Sequence, residues 1–471
     1  MNETKTLSLA NRLDALPISR WHMTIMAICW LGLFFDAFDS TILSVALPKL
    51  ASEWKITPVQ VGLLGSAGFI GMLIGAILFG IIADVIGRRK VFQITLLIYA
   101  LLTGACALTN GFTSMFILRA AVGLGLGGLV PVDSAYVAEY VPSKRRGQFL
   151  SWLNSSFAIG NGFAFLVGFL VVVPIGWRWG FVIGIIPAII VIFVRRTLPE
   201  SVRYLVQKGM VTDAVKIVEG LERRVLKKTT VTYEEAVERE KLARSMSSEA
   251  RVRIPDLFKG GLAKSTIMIS TIWFCMNYSG YAILVWLPIL LTKQLHYGLG
   301  ISLQFLAIAC FISLLGQISA GYCSDHLGRR PTITYSFIMY GLSVYFFFWF
   351  GKDPSVGAAL LIIMQIFMGS CWGSVYAYSP ENFPTRVRGT GLGFAGAIGR
   401  LGGILGPTIV GIIYSTAGLT WVLHINMILL IVAVIVMFML GRETKGKTLE
   451  QITFERIPIE KVASKVAVPS I

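Results

Sequence analysis

Charge is what this sequence has least of. Only 14% of its 471 residues are Asp, Glu, Lys or Arg, against roughly a quarter in an ordinary soluble domain, while 55% are hydrophobic and the mean hydropathy is +0.72. A water-soluble globular fold is excluded, and an integral membrane protein is implied. Cysteine is sparse as well: Cys29, Cys106, Cys275, Cys310, Cys323 and Cys371 all sit in apolar runs and form no CxxC pair. Neither a disulfide framework nor a zinc site is indicated, and no metal or other cofactor is expected. Acidic residues are scarcer than basic ones, which leaves a net charge of +17. That excess does not point to nucleic acid, because the basic residues fall in short clusters between apolar runs, as in loops on the cytoplasmic side of a membrane. No cleavable signal is visible either: the start, through Trp21, is polar with Lys5, Arg12 and Arg20, and the apolar run behind it is too long for a signal core. The first span is expected to stay in the mature protein.

What is present is a succession of apolar runs of membrane-crossing length. They read as spans over 23–48, 58–86, 91–108, 114–140, 148–173 and 177–194, then 265–291, 299–322, 331–350, 356–378, 389–415 and 419–440. The implied organisation is an all-α membrane protein: a polar N-terminus (1–22), a six-helix bundle (23–196), a polar linker (197–264), a second six-helix bundle (265–441) and a tail (442–471). Loops carrying Arg88-Arg89-Lys90, Lys144-Arg145-Arg146, Arg329-Arg330 and Arg386 with Arg388 are basic, whereas the alternate loops hold few positives, so both termini are expected to be cytoplasmic. The halves repeat. GIIADVIGRR from Gly80 recurs as GYCSDHLGRR from Gly321, a shift of 321 − 80 = 241, and EYVPSKRRG from Glu139 recurs as ENFPTRVRG from Glu381, a shift of 381 − 139 = 242. Duplicated bundles of this kind are expected to hold a substrate at their interface near the bilayer midplane.

The linker places Ala214, Val215, Val218 and Leu221 on one helical face, and Thr232 with Glu235 forms a capping box that opens another helix. It contains no His, no Cys and no phosphate loop, so an embedded enzyme is not expected.

Ionisable groups inside the spans are the candidates for function, because a charge there is costly and is usually a substrate, ion or proton site. Asp36 and Asp39 lie three residues apart in the first span and share a helical face. Arg119 in the fourth span and Asp39 fall at about the same depth when a rise of roughly 1.5 Å per residue is applied. A pair that makes and breaks would bind and release a proton; the alternative is a fixed structural ion pair. Arg400 lies roughly 18 Å along its helix beyond Arg388, and a guanidinium at that depth needs an anion, supplied either by Asp36 or by a carboxylate substrate. Asp133 is a second candidate proton carrier, with a helix-end pairing role as the alternative. Phe35, Tyr278, Tyr281, Trp286, Trp372, Tyr376 and Tyr378 suit either packing or stacking on a flat ligand, and Asn154, Asn161 and Asn277 can orient a ring heteroatom.

The pattern G80-x-x-x-D84-x-x-G87-R88-R89 and its duplicate at Gly321, Asp325, Gly328, Arg329 and Arg330 resemble the signature of the major facilitator superfamily, over essentially the whole chain. The resemblance implies transport by alternating access, with Asp84, Arg88, Glu139, Arg146, Asp325, Arg329, Glu381 and Arg388 gating on the cytoplasmic side. It also implies a pairing of the positions of Asp39 and Arg119. The run R119-A-A-V-G123-L-G125-L-G127-G128 is similar to the family's fourth-span motif. Its formal GxGxxG is not a dinucleotide loop, because those glycines lie in an apolar span, where small residues let helices pack closely.

FFDAFDSTILS in the first span resembles bacterial niacin porters, and Asp-x-x-Asp with Arg388 and Arg400 is similar to aromatic-acid:proton symporters. PESVRYL and ETKGKTL resemble sugar porters and their synaptic-vesicle-like relatives, yet the Gln residues that hold sugar hydroxyls there are missing from the fifth span and the start of the seventh. The resemblance implies a monomeric transporter of the bacterial cytoplasmic membrane that imports a small aromatic monocarboxylate, nicotinate first, with protons. Its partners would be substrate, protons and lipid. A neutral cargo (nicotinamide or a sugar), a benzoate-type acid, or a non-transporting receptor are the alternatives.

Overall fold

The structure, a computed structural model, describes residues 9–227, 237–238, 253–259, 261–384 and 387–445, and every regular element among them is a helix. A short α1 (Leu9–Asp14) precedes the spans α2 (Arg20–Glu53), α3 (Pro58–Ile86), α4 (Arg88–Cys106), α5 (Phe112–Tyr140) and α6 (Ser143–Val167). The chain continues through α7 (Trp177–Ile183), α8 (Pro187–Thr197), α9 (Val202–Gln207) and α10 (Val211–Leu226). After a 3₁₀ turn at Ile254–Phe258 come α11 (Leu262–Lys293), α12 (Leu299–His326), α13 (Arg329–Phe350), α14 (Pro354–Glu381), α15 (Arg388–Thr416) and α16 (Leu419–Leu440). Among the described residues eleven helices are long and apolar enough to cross a bilayer. The twelfth span is α7 with α8.

That sixth span is not the single helix its hydropathy suggests. Pro187 has no N–H to offer, and Gly184, Ile185 and Ile186 bond three residues back, to the carbonyls of Phe181, Val182 and Ile183 at 3.0–3.1 Å. Gly184 is required here, since a Cβ would collide with Thr103 of α4. The fifth span also departs from a plain α-helix: it ends in a π-helical turn, Gly168–Val172, where Val173 N–H reaches the Gly168 carbonyl at 3.0 Å.

By packing, the chain divides into two compact units, residues 1–46 with 67–250 and residues 47–66 with 251–471. In the first unit, Gly71 and Gly75 of α3 abut the backbone of Ala120 and Leu124, while Gly123 of α5 abuts the backbone of Gly68, and any Cβ there would clash. Gly125 and Gly128, on another side of α5, pack on Thr95 and Tyr99 of α4 and on Phe79 of α3. The glycine run is thus a two-sided packing surface, as small residues in a membrane require. In the second unit, Gly402 and Gly406 of α15 lie against the backbone of Phe274 and Tyr278 of α11 in the same manner. The segment 47–66 belongs with this unit because Gly62 meets the Pro407 backbone and Ser66 Oγ bonds the Ile404 carbonyl and the Thr408 hydroxyl.

Two linker features bear on the first unit. The face of α10 carrying Ala214, Val215, Val218 and Leu221 is buried. Arg12 of α1 forms a two-bonded ion pair with Glu222 of α10, at 2.9 and 2.7 Å, with both side chains out of contact with water. Sequence reasoning took the start of the chain as simply polar and missed this helix. The Thr232 and Glu235 capping box lies outside the described residues.

Candidate functional site

In the first unit, α2, α4 and α5 carry a line of polar groups through an apolar interior. Asp39 and Asp36 are each 1% exposed and Arg119 is 2% exposed. Nη1 of Arg119 sits 3.0 and 2.9 Å from the two carboxylate oxygens of Asp39, and Nη2 donates to the Asp39 backbone carbonyl at 3.1 Å. The Thr103 hydroxyl of α4 donates to the same carboxylate at 2.5 Å. Coulomb attraction is strong where water is absent, but so is the cost of desolvation, so such a pair is poised: losing one partner strands a charge. Tyr99 stands within electrostatic reach of Asp36, Asp39 and Asp133, and Asp133 has Cys29 of α2 beside it. Asn161 accepts from the Thr41 hydroxyl at 2.8 Å, and Asn154 is half-buried on the same helix. Phe35 is packed between Phe34 (ring centroids 4.9 Å) and Phe38 (6.2 Å), within an aromatic cluster.

In the second unit, the aromatic side chains form two groups. Trp273 and Tyr281 of α11 and Trp372 and Tyr376 of α14 make a continuous wall. Trp273 meets Tyr376 edge-on at 4.9 Å, Tyr376 stacks with Trp372 at 5.8 Å, and Trp372 meets Tyr281 edge-on at 6.2 Å. Trp273 is fixed by its Nε1–H to Ser379 at 2.9 Å, and Asn277 is fixed by donating to the Trp273 carbonyl at 2.8 Å. Gly399, next to Arg400 on α15, lies so close that a Cβ would stand 3.0 Å from the Asn277 amide and 3.2 Å from the Trp273 ring. The other aromatics stand outside this chain of ring contacts. Trp286 donates to the Pro407 carbonyl at 3.0 Å, Tyr378 to the Arg442 carbonyl at 2.8 Å, and Tyr278 is buried.

The loop motifs build one network in each unit. Gly87 and Gly328 hold φ of 99° and 106°, and each presents the next two N–H groups to a carboxylate lying where a Cβ would be. Glu200 accepts from Arg88 and Arg89 at 2.8 and 3.1 Å, and Glu443 accepts from Arg329 and Arg330 at 2.9 and 3.1 Å. Burial works against the charge of Glu443, yet N–H donors from Arg329, Lys445 and Arg330 hold its carboxyl below the ordinary value. Glu139 binds Arg88 at 3.3 Å and the Ser201 hydroxyl at 2.6 Å, and Glu381 binds Arg329 at 3.4 Å and the Thr444 hydroxyl at 2.5 Å. Arg329 also pairs with the largely exposed Asp325. Asp84 is exposed, and Arg88 pairs with Glu139 rather than with it. Arg388 donates to the Phe383 carbonyl at 3.3 Å. The side chain of Arg146 lies outside those described.

Glu200, Ser201, Glu443 and Thr444 were missed as members of these networks, although their offset was legible: 443 − 200 = 243 and 444 − 201 = 243. Thr103 and Tyr99 were missed with no signal beyond a hydroxyl in a span. Trp273 was missed although it stands four residues before Asn277.

Comparison with known proteins agrees with this architecture. Residues 25–455 match the family model described as Sugar (and other) transporter. The chain is 35% identical to the niacin transporter NiaP of Acinetobacter baylyi, covering 95% of this chain and all of that one. It is 32% identical to a putative niacin/nicotinamide transporter NiaP of Bacillus subtilis (92% and 99% covered) and 29% identical to a benzoate transport protein of Acinetobacter baylyi (88% of each). Among solved structures, the inward open xylose transporter XylE from E. coli superposes with a TM-score of 0.74 at 19% identity, over 92% of this chain and 99% of that one. The chain is an integral membrane transporter, not an enzyme, and belongs to the Sugar (and other) transporter family of the major facilitator superfamily.

Proposed function

We propose that this protein imports a small aromatic monocarboxylate, nicotinate first, together with protons, across the bacterial cytoplasmic membrane, with its basic loops and both termini in the cytoplasm. The observation that carries the substrate class is the wall of Trp273, Tyr376, Trp372 and Tyr281 beside the helix of Arg400. Aromatic faces and edges favour a flat ring, a planar guanidinium fork suits a carboxylate, and the Asn277 amide adds a hydrogen-bonding group for a ring nitrogen. The names of the Acinetobacter relatives, niacin and benzoate transporters, support the same class.

Asp39 and Arg119 couple the proton. When Asp39 takes up a proton its pair with Arg119 weakens, and when the pair re-forms the proton leaves. One proton moving with one monoanion carries no net charge, so the pH difference drives uptake at about 1.4 kcal/mol per unit. The rim networks around Glu139 and Glu381 hold the basic-loop ends in one state of the alternating-access cycle.

Counterflow of labelled nicotinate in proteoliposomes, competed by benzoate and by nicotinamide, tests the reading. Competition by benzoate but not nicotinamide is expected. Arg400→Lys is expected to weaken nicotinate exchange by about tenfold or more, because a point charge replaces a two-bonded fork. Unchanged exchange in that variant refutes the carboxylate anchor.

A further inference from the structure

The spans of the first unit bury two acids beyond the one that pairs with Arg119: Asp36 and Asp133. Asp133 is wholly buried, and neither of its carboxylate oxygens meets a hydrogen-bond donor of ordinary geometry among the described residues. The titratable groups facing it are the Cys29 thiol and Asp36 on α2 and Tyr99 on α4. The Tyr99 hydroxyl is likewise fully buried and without a hydrogen-bond partner among the described residues. A buried phenol with no partner for its hydroxyl, within electrostatic reach of a buried acid that has only a thiol at hand, is expensive and contributes nothing to packing that Phe and Leu would not.

Their order along the helices is informative. On α5, Arg119 lies 119 − 112 = 7 residues from one end and Asp133 lies 140 − 133 = 7 residues from the other, the basic-loop end. On α2, Cys29 and Gly32 are nearer that same end than Asp39, and a Cβ on Gly32 would stand 3.4 Å from an Asp133 oxygen. Tyr99, midway along α4, is near all three aspartates. The sequence from far end to basic end is therefore Asp39 with Arg119, then Tyr99 with Asp36, then Asp133.

We propose that Asp133 is the inner station of a proton route through the interior of the first unit, loaded from Asp39 by way of the Tyr99 hydroxyl. It rests on the proton-coupled reading above. The transfer balances: as Asp39 re-pairs with Arg119 it gives its proton to the Tyr99 oxygen, whose own proton passes to Asp133. Tyr99 is neutral before and after, Asp39 ends as a carboxylate and Asp133 as a carboxylic acid. Asp133 then discharges toward the basic-loop end, and the cycle repeats.

A relay alters rate without altering the equilibrium. In proteoliposomes with labelled nicotinate, Tyr99→Phe and Asp133→Asn are expected to approach the wild-type plateau of pH-driven accumulation on the order of a hundredfold more slowly. Counterflow, which needs no net proton movement, continues in both, and Asp133→Glu recovers most of the rate. Wild-type accumulation rates in either variant overturn the proposal, as does loss of counterflow together with accumulation in both, which marks a structural role. If Asp133→Asn does not fold, Tyr99→Phe decides alone. Infrared spectroscopy supplies a readout that needs no substrate: a buried carboxylic-acid carbonyl band, present in the wild type at neutral pH and missing from Asp133→Asn. Absence of that band in the wild type overturns the proposal even if nicotinate proves to be the wrong cargo.

Discussion

Replacing Asp39 by Asn is the most direct way to separate coupling from transport. The amide keeps an oxygen for Thr103 and is nearly the same shape, but it removes the charge that Arg119 faces across 2.9 Å in a site closed to water. Two magnitudes follow. Stranding a buried guanidinium costs about 3–5 kcal/mol, so the variant is expected to melt earlier, and Asp39→Asn with Arg119→Gln is expected to regain much of the loss, because no uncompensated charge is left. For transport, one proton per monoanion yields about tenfold accumulation per pH unit, since about 1.4 kcal/mol corresponds to a factor of ten. The Asn variant has no proton to couple, and its accumulation is expected to fall to unity. The assay is uptake of labelled nicotinate into proteoliposomes under an imposed difference of one pH unit, with counterflow measured in parallel on the same preparation. Counterflow that persists while accumulation vanishes is the expected pattern. About tenfold accumulation in Asp39→Asn refutes the assignment of the proton to this carboxylate, and a melting temperature equal to wild type refutes the electrostatic account of the pair.

Two further outcomes test the parts outside the bilayer. Glu222→Gln removes one side of the two-bonded pair with Arg12 and is expected to cost about 3–5 kcal/mol in unfolding experiments. Arg12→Glu with Glu222→Arg is expected to recover part of that; no loss in the single variant would show that α1 does not stay docked. Glu443 has its carboxyl held below the ordinary value in the folded protein, so its contribution is present above the unfolded carboxylate value of about 4.3 and is lost as pH falls through the lower folded value. The melting difference between wild type and Glu443→Gln should accordingly be seen at neutral pH and shrink on acidification; a difference that grows in acid would reverse the sign assigned here.

The spans were legible because a bilayer leaves the chain little choice: backbone groups must be satisfied within each helix, and twenty apolar residues announce themselves. Depth was legible too, since a fixed rise per residue put Asp39 and Arg119 at one level. Azimuth was read less well. On α11 the spacing of four from Trp273 to Asn277 to Tyr281 marks one face, while Tyr278 and Trp286 point elsewhere, and on α14 Trp372 and Tyr376 share a face that Tyr378 does not. Counting aromatics per span blurred that distinction. The roles of Glu200 and Glu443 depend on backbone N–H groups brought from residues more than a hundred positions away, which no local pattern encodes.

The duplication itself weighs against a purely structural ion pair. Both units keep the rim device, a left-handed glycine followed by two N–H donors on a glutamate, and in each half of the sequence the first long span carries a proline five residues before its last, Pro48 and Pro288 at a shift of 288 − 48 = 240. Inside, they differ. At shifts of 240 and 241, Asp39 falls on Ser279 or Gly280, and at 241 and 242 Arg119 falls on Leu360 or Leu361. The second unit thus closes the equivalent region with Gly280, where a Cβ would strike Met368, and with the buried Leu361. One half folds without the charges, so the architecture does not demand them. A buried pair that the second unit does without, and that costs desolvation to maintain, supports the proposal that the first unit holds it for what its making and breaking can do.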